Sequence, residues 1–273
     1  MQFTSKLYSL TAMTNMHVGS GKNNYGIIDN LIQRDVVSGY PTINPSSLKG
    51  AMREFFNYDM SNAALVRYIF GSDPNHDNNT NSPGEYRFFP ANLLSMPVRS
   101  NLLPYLNITC PQVIKTFLDN LDKFGISYPH AATLNDWLAT DTGEATHYQA
   151  NLDHELSIEI MDFKAKKGSF EQMDVIIELF GEYPVLVSDE RFKELTNDNH
   201  LPAISRNYLE NGVSKNLWYE QVLPRQSRFY FILFAPNQSN NHFSPFDSAI
   251  QAQPVQIGGN ASIGYGFSKI SEI

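Results

Sequence analysis

The sequence predicts a single α+β domain, and three observations support that class. Strand-like and helix-like segments interleave without the steady βαβ rhythm of a parallel sheet. Internal repeats are absent, and no shift in composition marks a boundary within the 273 residues. Hydrophobic residues at 42% and charged residues at 18% are typical of a globular protein with a sizeable core. We therefore expect one domain over residues 1–273 with long insertions.

Local patterns predict the order of the elements. Alternating apolar residues and β-favouring side chains predict strands at residues 3–13, 31–35, 86–94, 155–162, 183–188, 228–235 and 267–270. Apolar residues at helical spacing predict helices over residues 48–58, 111–124, 170–179 and 189–195. Ser46 or Ser47 is expected to cap the first of these helices, and Asp189 the last. Asn211-Gly212 signals a hairpin turn. Turn formers predict loops at residues 14–30 and 72–84, whereas residues 136–153 have little pattern.

The charge balance and the single cysteine exclude several kinds of site. The formal net charge of −8 argues mildly against a general nucleic-acid binder, although a local basic groove can lie on an acidic protein. Cys110 stands alone, so an internal disulfide and a multi-cysteine metal site are excluded, and we expect a small buried side chain there. Neither a signal peptide nor an apolar run of membrane-spanning length is evident, so we expect a soluble, cytoplasmic protein without a membrane partner.

Two glycine-rich segments predict a surface that binds phosphate. Residues 17–21 lead into a helix start at residues 43–53, and residues 257–267 lie near the other end of the chain. Glycine lets backbone approach a ligand closely, and the free amides at a helix start favour anions. The two segments are distant in sequence, but we expect them to build one site in space.

Each half of this surface also has a plainer interpretation. The polar residues of the helix start are Ser46, Ser47, Lys49 and Arg53. They suit phosphate binding through charge-assisted contacts, or else they belong to an ordinary capped helix with a solvated basic face. The glycines of the C-terminal segment are Gly258, Gly259, Gly264 and Gly266. They form either the second half of the site or a pair of tight turns before the last strand.

Three ionisable residues are candidates for chemistry on a phosphate. Asp29 ends the glycine- and asparagine-rich loop, where a carboxylate can bind a metal ion or activate a hydroxyl. His17 is a candidate acid, base or hydrogen-bond donor, and Glu220 is a candidate to act with it. Trp218 and its aromatic neighbour can stack on bases, although packing into the core is the interpretation we favour for Trp218. The alternatives are a turn aspartate at 29 and a structural histidine at a strand end.

Short segments that are typical of one protein family occur in the same order along nearly the whole chain. In the N-terminal half they are residues 14–21, 26–35 and 45–53. Further along they are Pro97-Val98-Arg99-Ser100, Thr109-Cys110-Pro111, Val187-Ser188-Asp189-Glu190-Arg191-Phe192, Leu217-Trp218-Tyr219-Glu220 and the glycines at 258–266. Together these segments resemble the RAMP superfamily of CRISPR proteins. Within it, they resemble the backbone subunit of Cmr (type III-B) effector complexes.

The resemblance implies a fold and a set of partners. The fold would be a ferredoxin-like (RRM-type) core with long insertions, an insertion loop at about residues 72–84 and a protruding β-hairpin thumb at about residues 204–218. Copies of the chain would stack as a filament along a CRISPR guide RNA, together with other Cmr-type subunits. A target single-stranded RNA would pair with the guide and be cut at regular intervals.

The resemblance also implies roles for individual residues. Asp29 would cut the RNA, with His17 and Glu220 tied to the same site. Contacts with the RNA would come from Gly19, Ser20, Ser46, Ser47, Lys49, Arg53, Asn207, Gly258, Gly259, Gly264 and Gly266. The chain would then be a metal-dependent endoribonuclease in which Asp29 either binds a divalent ion, Mg or Mn, or acts as a base. Two alternatives stay open: a non-catalytic guide-RNA-binding subunit of the same kind of complex, and a small-molecule phosphate-binding α+β protein.

Overall fold

Strands and helices alternate irregularly along the chain, which confirms the α+β class. The computed structural model describes residues 3–23, 26–59, 63–72, 82–140, 143–152, 155–158, 164–237 and 240–273. The helices are α1 (Pro45–Asp59), α2 (Ala63–Phe70), α3 (Pro111–Lys123), α4 (Ala131–Leu138), α5 (Met173–Phe180), α6 (Asp189–Leu195) and α7 (Asn240–Ala252). The strands of the first half are β1 (Phe3–Ala12), β2 (Gly19–Asn23), β3 (Asn30–Ile32), β4 (Thr42–Ile43), β5 (Arg87–Phe88), β6 (Ala91–Val98), β7 (Leu106–Thr109) and β8 (Ala145–His147). Those of the second half are β9 (Leu156–Ser157), β10 (Lys164–Lys167), β11 (Pro184–Val187), β12 (Ala203–Glu210), β13 (Val213–Gln221), β14 (Arg228–Pro236), β15 (Val255–Gln256) and β16 (Phe267–Glu272).

The larger sheet carries most of the core. Its strand order is β15-β16-β1-β14-β6-β7-β11-β8-β10-β9, with β4 paired to β6 and β5 paired to β14. At its centre, β16, β1, β14 and β6 lie side by side, and each neighbouring pair is antiparallel. The longest pairing joins β1 and β14, from Phe3 opposite Pro236 to Thr11 opposite Arg228.

Helices cover both faces of the central strands. In β14, Phe229, Phe231 and Leu233 belong to the cluster that contains side chains of α1, α2 and α7. The alternate residues Tyr230 and Ile232 belong to the cluster that contains side chains of α3, α4 and α5. Because successive side chains point to opposite faces of a sheet, a strand buried on both faces has an almost continuous apolar sequence, as β14 does.

A smaller sheet, in the order β12-β13-β3-β2, stands beside the larger one. Its strands β12 and β13 form a hairpin closed by Asn211 and Gly212, whose φ angles of 51° and 79° require the left-handed region. Asparagine and glycine accept that region most readily, so the Asn-Gly signal is confirmed. Most of the hairpin is exposed, and its base joins β3 through the parallel pairing of Glu220 with Asn30.

Several sequence predictions were wrong at the level of single elements. Residues 14–30 are not a continuous loop, because β2 pairs with β3 there. Helix α1 begins at Pro45, where proline fits the first helical position, so Ser46 and Ser47 lie in the first turn and do not cap it. The cap of α6 is Ser188, whose hydroxyl accepts from the Arg191 amide at 3.3 Å, and Asp189 instead accepts from the Gln112 amide.

Other differences concern segments whose pattern was weak. The predicted strand at 86–94 is two strands, β5 and β6, and residues 136–153 contain the end of α4 and all of β8. Helices α2, α4 and α7 had no sequence prediction. Most of the expected insertion loop, residues 73–81, lies outside the described residues. Cys110 is fully buried, as expected. Among the helices that the structure describes, none has the length and apolar character needed to cross a membrane.

Candidate functional site

Three consecutive residues of β13 bring the three predicted catalytic residues together, because Glu220 lies between a residue that holds Asp29 and a residue that holds His17. The backbone of Tyr219 exchanges two hydrogen bonds with Asp29: the Tyr219 N–H donates to Asp29 Oδ2 at 2.8 Å, and its carbonyl accepts from the Asp29 amide at 3.1 Å. Glu220 is the next residue. The carbonyl of Gln221 then contacts Nδ1 of His17 at 2.6 Å. Asp29, Glu220 and His17 therefore gather at the base of the exposed hairpin.

Asp29 is the member of this group that solvent reaches. Its residue is exposed, whereas His17 and Glu220 are each only 8% exposed. The hydrogen bonds of Asp29 with Tyr219 fix both its backbone and its carboxylate against β13. Because this exposed carboxylate already has a fixed orientation, it loses little conformational entropy when a ligand binds.

The hydrogen bond of His17 determines which ring nitrogen carries a proton. A backbone carbonyl only accepts, so the short contact with Gln221 places a proton on Nδ1, and in the neutral form of the ring Nε2 is then the acceptor. Gly19 lies beside this nitrogen, and a Cβ built there would be 3.1 Å from Nε2. Glycine at position 19 thus leaves the acceptor edge of the imidazole uncrowded.

Glu220 is fixed as a carboxylate by its partners. Its Oε1 accepts from Trp218 Nε1 at 2.9 Å, and its Oε2 accepts from Asn260 Nδ2 at 2.7 Å. Burial opposes the charged form, but these two hydrogen bonds, the charge of Arg206 and the charge that His17 carries when it is protonated outweigh it and lower the pKa of Glu220. With both oxygens engaged and ionised, Glu220 is suited to positioning its neighbours and not to donating a proton.

The two glycine-rich segments meet at His17, as the sequence predicted. The amide of Gly259 donates to the His17 carbonyl at 2.9 Å, and the amide of Gly266 donates to the Asn15 carbonyl at 2.9 Å. A Cβ on Gly258 would collide with the His17 carbonyl oxygen, and φ at this position is +90°. Gly264, with φ of +82°, has open space beside it instead. At Gly258, therefore, glycine permits close packing of backbone on backbone.

Gln33 connects the helix start to the same region, and sequence reasoning missed it. Its Nε2 donates to the Gly19 carbonyl at 3.0 Å and to Ser47 Oγ at 2.8 Å, and its Oε1 accepts from the Asn44 amide at 2.7 Å. The start of α1 is thereby fixed beside β2. Ser46 is exposed and Ser47 is half-buried, so the first turn of the helix lies at the surface next to the glycine segment.

The two basic residues of α1 lie on one face of the helix, as their spacing predicts. Partial burial, followed by the charges of Arg53 and Arg87, lowers the pKa of Lys49. Arg53 itself donates to the carbonyls of Gly71 and Ser72 at 2.6 and 3.3 Å, so it links α1 to the end of α2. The described hydrogen bonds include none from the Lys49 side chain. Lys49 is therefore the residue of the pair that is more available to a ligand.

The hairpin presents apolar and polar side chains to solvent on both faces. Tyr208, Leu209, Val213 and Leu217 are between 55% and 59% exposed. Asn207 Oδ1 accepts from Ser214 Oγ at 2.7 Å across the two strands. The expectation that Trp218 packs into the core was wrong, because this residue is only half-buried at the base of the hairpin. The reason is that β13 returns from the hairpin tip and becomes buried only at Glu220 and Gln221.

The carboxylates of the site do not form a metal cage. Among the residues that the structure describes, no group of three or more His, Cys, Asp or Glu side chains could hold an ion. Glu220 is taken up by its two donors, which leaves Asp29 as the exposed carboxylate. One carboxylate suits a hydrated Mg²⁺ whose remaining ligands are water and substrate phosphate, a common arrangement for that ion.

Comparison with known proteins defines the family. A model of the RAMP superfamily matches residues 9–269, and the chain belongs to that superfamily. The CRISPR system Cmr endoribonuclease Cmr4 of Pyrococcus furiosus is 28% identical over 285 residues, which covers 97% of this chain and 94% of that protein. The CRISPR system CMR subunit Cmr4 of Saccharolobus solfataricus is 41% identical over 96 residues, or 35% of this chain and 30% of that protein.

Solved structures support the fold. The chain is similar to one in the type III-B Cmr-beta complex bound to cognate target RNA, with a TM-score of 0.81 and 22% identity over 98% of this chain and 97% of that one. It is also similar to oligomeric Cmr4 from Pyrococcus furiosus, with a TM-score of 0.69 and 20% identity over 100% of this chain and 99% of that one. At these sequence identities, the similarity concerns the fold, that is, the arrangement of the helices and strands.

Proposed function

We propose that this chain is the backbone subunit of a type III-B CRISPR ribonucleoprotein and that it cuts target RNA. Membership of the RAMP superfamily and the names of its relatives support this assignment. The observation that carries it is the shared anchoring of Asp29, Glu220 and His17 by residues 219–221 at the base of the hairpin. Copies of the chain stack along a guide RNA in the cytoplasm with other Cmr-type subunits, and each copy is an endoribonuclease.

The central strands support the proposal of a ferredoxin-like core. Taken in chain order, β1, β6, β14 and β16 are the first to fourth strands, and they lie side by side in the order 4-1-3-2. Helix α1 connects the first strand to the second, and α7 connects the third to the fourth. This β-α-β-β-α-β arrangement is the ferredoxin-like topology. The hairpin of β12 and β13 is then the thumb, which protrudes from the core and interrupts the paired RNA.

The proposed reaction uses the RNA's own 2′-hydroxyl. Its oxygen loses its proton and attacks the adjacent phosphorus while the bond to the 5′-oxygen breaks. The departing oxygen takes a proton from water, so the products are a 2′,3′-cyclic phosphate and a 5′-hydroxyl. The protein's main task is to hold the nucleotide with attacking and leaving oxygens in line and to stabilise the developing charge. Asp29 meets the RNA because it is exposed, either as the base that takes the proton of the 2′-hydroxyl or as the ligand of a divalent ion. Nε2 of His17 is another acceptor for that proton when the ring is neutral. Glu220 positions Trp218 and Asn260.

A divalent ion, Mg or Mn, is part of the proposal. Asp29 is the residue that would hold it, with RNA phosphate completing its ligands. When bound, such an ion neutralises charge on the phosphate that is being cleaved.

Guide RNA is proposed to lie across the helix start and the glycine segments. The amides of the first turn of α1, the hydroxyls of Ser46 and Ser47 and the ammonium of Lys49 suit its phosphates. Gly19, Ser20, Gly259 and Gly264 offer backbone that RNA can approach. Asn207 contributes from the thumb. Contacts of these kinds read the RNA backbone and not its sequence.

Cleavage by the assembled complex tests the enzymatic part of the proposal. Complexes containing wild type or Asp29→Ala are assembled on a guide and given complementary RNA with Mg²⁺ or Mn²⁺. We expect regularly spaced products from wild type and loss of cleavage from Asp29→Ala, with guide RNA retained by both. Retained guide without cleavage by either protein would favour the non-catalytic subunit. Regular products from Asp29→Ala would remove Asp29 from the catalytic role.

Guide retention tests the binding part. Lys49→Gln should weaken retention of guide RNA regardless of its sequence and reduce the salt dependence of binding, because one phosphate contact is lost. Arg53→Gln is the less informative variant, since it also removes the hydrogen bonds to Gly71 and Ser72. Lys115→Gln, on the exposed side of α3, is the charge-matched control. Equal retention by Lys49→Gln and Lys115→Gln would reject the assignment of Lys49.

A further inference from the structure

The pairing that joins the two strands of the candidate site is short. Among the described residues, β13 and β3 share one residue pair, Glu220 with Asn30. The hydrogen bonds of Asp29 with Tyr219 extend the contact on one side of that pair. So short a pairing leaves the position of β3 along β13 to be determined by other contacts as well.

Gln221 supplies such a contact from the interior of the protein. It is fully buried, and its backbone carbonyl is the group that contacts Nδ1 of His17. Its side-chain Oε1 accepts from the Ile32 amide at 3.2 Å. Its Nε2 donates to the backbone carbonyl and to Oδ1 of Asp198, at 3.1 and 3.3 Å. Because the amide of Ile32 only donates and the ionised carboxylate of Asp198 only accepts, one orientation of the Gln221 side chain satisfies all of these partners.

Arg34 closes these contacts into a ring. Its Nε donates to Asp198 Oδ1 at 2.7 Å, and its Nη1 donates to the Thr196 carbonyl at 2.8 Å. Arg34 lies two residues beyond Ile32 in the sequence. The contacts therefore run from β3 through Gln221 and Asp198 and return to the same stretch of chain. Hydrogen bonds connected in this way strengthen one another.

The ring holds the segment that carries the exposed carboxylate. Asp29 is three residues before Ile32, and Asn30 between them is the residue paired with β13. Displacing Ile32 from Gln221 would therefore shift the segment that ends in Asp29. Since the backbone of Gln221 also holds His17, the same displacement would change the placement of the imidazole relative to the carboxylate.

We infer that Gln221, Asp198 and Arg34 act as one positioning unit that sets the placement of the Asp29 carboxylate relative to the His17 imidazole. Gln221 is fully buried and acts through its neighbours, so it is not a catalytic residue. The inference rests on the proposed function, because it requires that Asp29 and His17 act on RNA. Misplaced reacting groups slow the chemical step without weakening binding, so these residues should affect cleavage and not the affinity for target RNA.

Single-turnover cleavage by assembled complexes, measured beside target-RNA affinity, tests the inference. Gln221→Met keeps an unbranched side chain but removes its polar contacts, and it should slow cleavage by about 10- to 100-fold with target affinity unchanged. Asp198→Ala should cause a smaller loss, because Gln221 can still accept from Ile32. Asp198→Asn should retain most of the rate, since its side-chain oxygen can still accept from Gln221 and Arg34.

A double variant and a matched control complete the test. Gln221→Met combined with Asp198→Ala should be no slower than Gln221→Met alone, because the effects of residues that act as a unit are not additive. The control is Glu144→Ala, which removes a half-exposed carboxylate from another arginine pair. There, Arg191 Nε donates to Glu144 Oε1 at 2.9 Å. This variant should cleave at the wild-type rate.

The outcomes separate this inference from the function on which it rests. If wild type fails to retain guide RNA or to cut the target, the proposed function and the inference fall together. If wild type cuts, and both Gln221→Met and Asp198→Ala cut as fast as Glu144→Ala, only the positioning unit is rejected. Rate losses that multiply in the double variant would also reject it, because independent residues behave in that way.

Two further results distinguish positioning from a purely structural role. A loss of rate accompanied by an equal loss of target affinity would show that the substitutions disturb the fold of the binding surface, and it would overturn the inference. If Gln221→Met does not fold, the comparison of Asp198→Ala with Asp198→Asn decides the question. A slower alanine variant would support the unit, and equal rates for the two would reject it.

Discussion

Replacing Gly258 with alanine should destabilise the protein more than replacing Gly264. Both glycines lie in the left-handed region, with φ of +90° and +82°. Alanine at either position therefore incurs the same backbone penalty, about 1–2 kcal/mol. Only at position 258 does the added methyl group also collide with backbone, namely the carbonyl oxygen of His17. The difference between the two variants isolates the packing of the C-terminal glycine segment on His17.

The size of that difference follows from the chain length. With an unfolding entropy of about 2.1 cal/mol/K per residue, 273 residues give about 0.6 kcal/mol/K. The backbone penalty alone then lowers Tm by about 2–4 °C, which is the expected result for Gly264→Ala. Forcing an extra methyl group into packed backbone adds about 1–3 kcal/mol, so Gly258→Ala should lower Tm by about 4–9 °C.

Thermal unfolding of the two purified variants, followed by circular dichroism, measures this difference directly. Gly258→Ala is also expected to displace the His17 carbonyl from the Gly259 amide, so it should reduce RNA cleavage. Gly264→Ala should leave this hydrogen bond between Gly259 and His17 intact. Equal Tm values for the two variants would refute the claim that Gly258 packs against His17. A Gly258→Ala variant as stable as wild type would also refute that claim.

Two further substitutions test the local structure. Gly50 lies exposed inside α1, and beyond its chain neighbours and the backbone of its own helix nothing lies within 4 Å of an added Cβ. Gly50→Ala should therefore stabilise the protein by about 0.5–1 kcal/mol, and a lower Tm would contradict that environment. Glu220→Ala should cost about 2–3 kcal/mol at pH 7, because it leaves Trp218 Nε1 and the Asn260 amide without their charged acceptor. Since the folded-state pKa of Glu220 is lowered, this contribution is complete above its unfolded pKa of about 4.3 and is lost as pH falls through the folded pKa. Denaturant unfolding between pH 3 and 7 measures the gap between wild type and variant, and a gap that widens in acid would contradict this account.

The sequence was most informative where local chemistry determines structure. Asn211-Gly212 predicted the hairpin because few other pairs accept two positive φ angles. The serines at 46 and 47 wrongly predict a cap for α1, whereas Pro45 is itself a signal for the first helical position, where the helix begins. The strand β2 was missed because its glycines and asparagine resemble a loop until β3 pairs with it.

The candidate site was predictable in its residues but not in its contacts. His17, Asp29 and Glu220 were candidates because of their chemistry and position, and the family resemblance tied them to one site. The hydrogen bonds that join Asp29 to Tyr219 and His17 to Gln221 span 190 and 204 positions of sequence. Gln33 and Asn260 carry no recognisable motif. Each is an ordinary polar residue that became important only because the fold surrounds it with backbone groups or a carboxylate that require partners.

The rate of RNA cleavage by Asp29→Asn tests the central claim most directly. Asparagine keeps an oxygen that can accept from the Tyr219 amide, so the fold and guide binding should be preserved while the carboxylate charge is removed. In a single-turnover assay with excess assembled complex, we predict a rate at least about 100-fold below wild type, the usual scale for losing a positioned acid or base. Asp136→Asn, on the exposed side of α4, should cleave as wild type does. An Asp29→Asn complex that cuts the target at the wild-type rate and spacing would contradict the account.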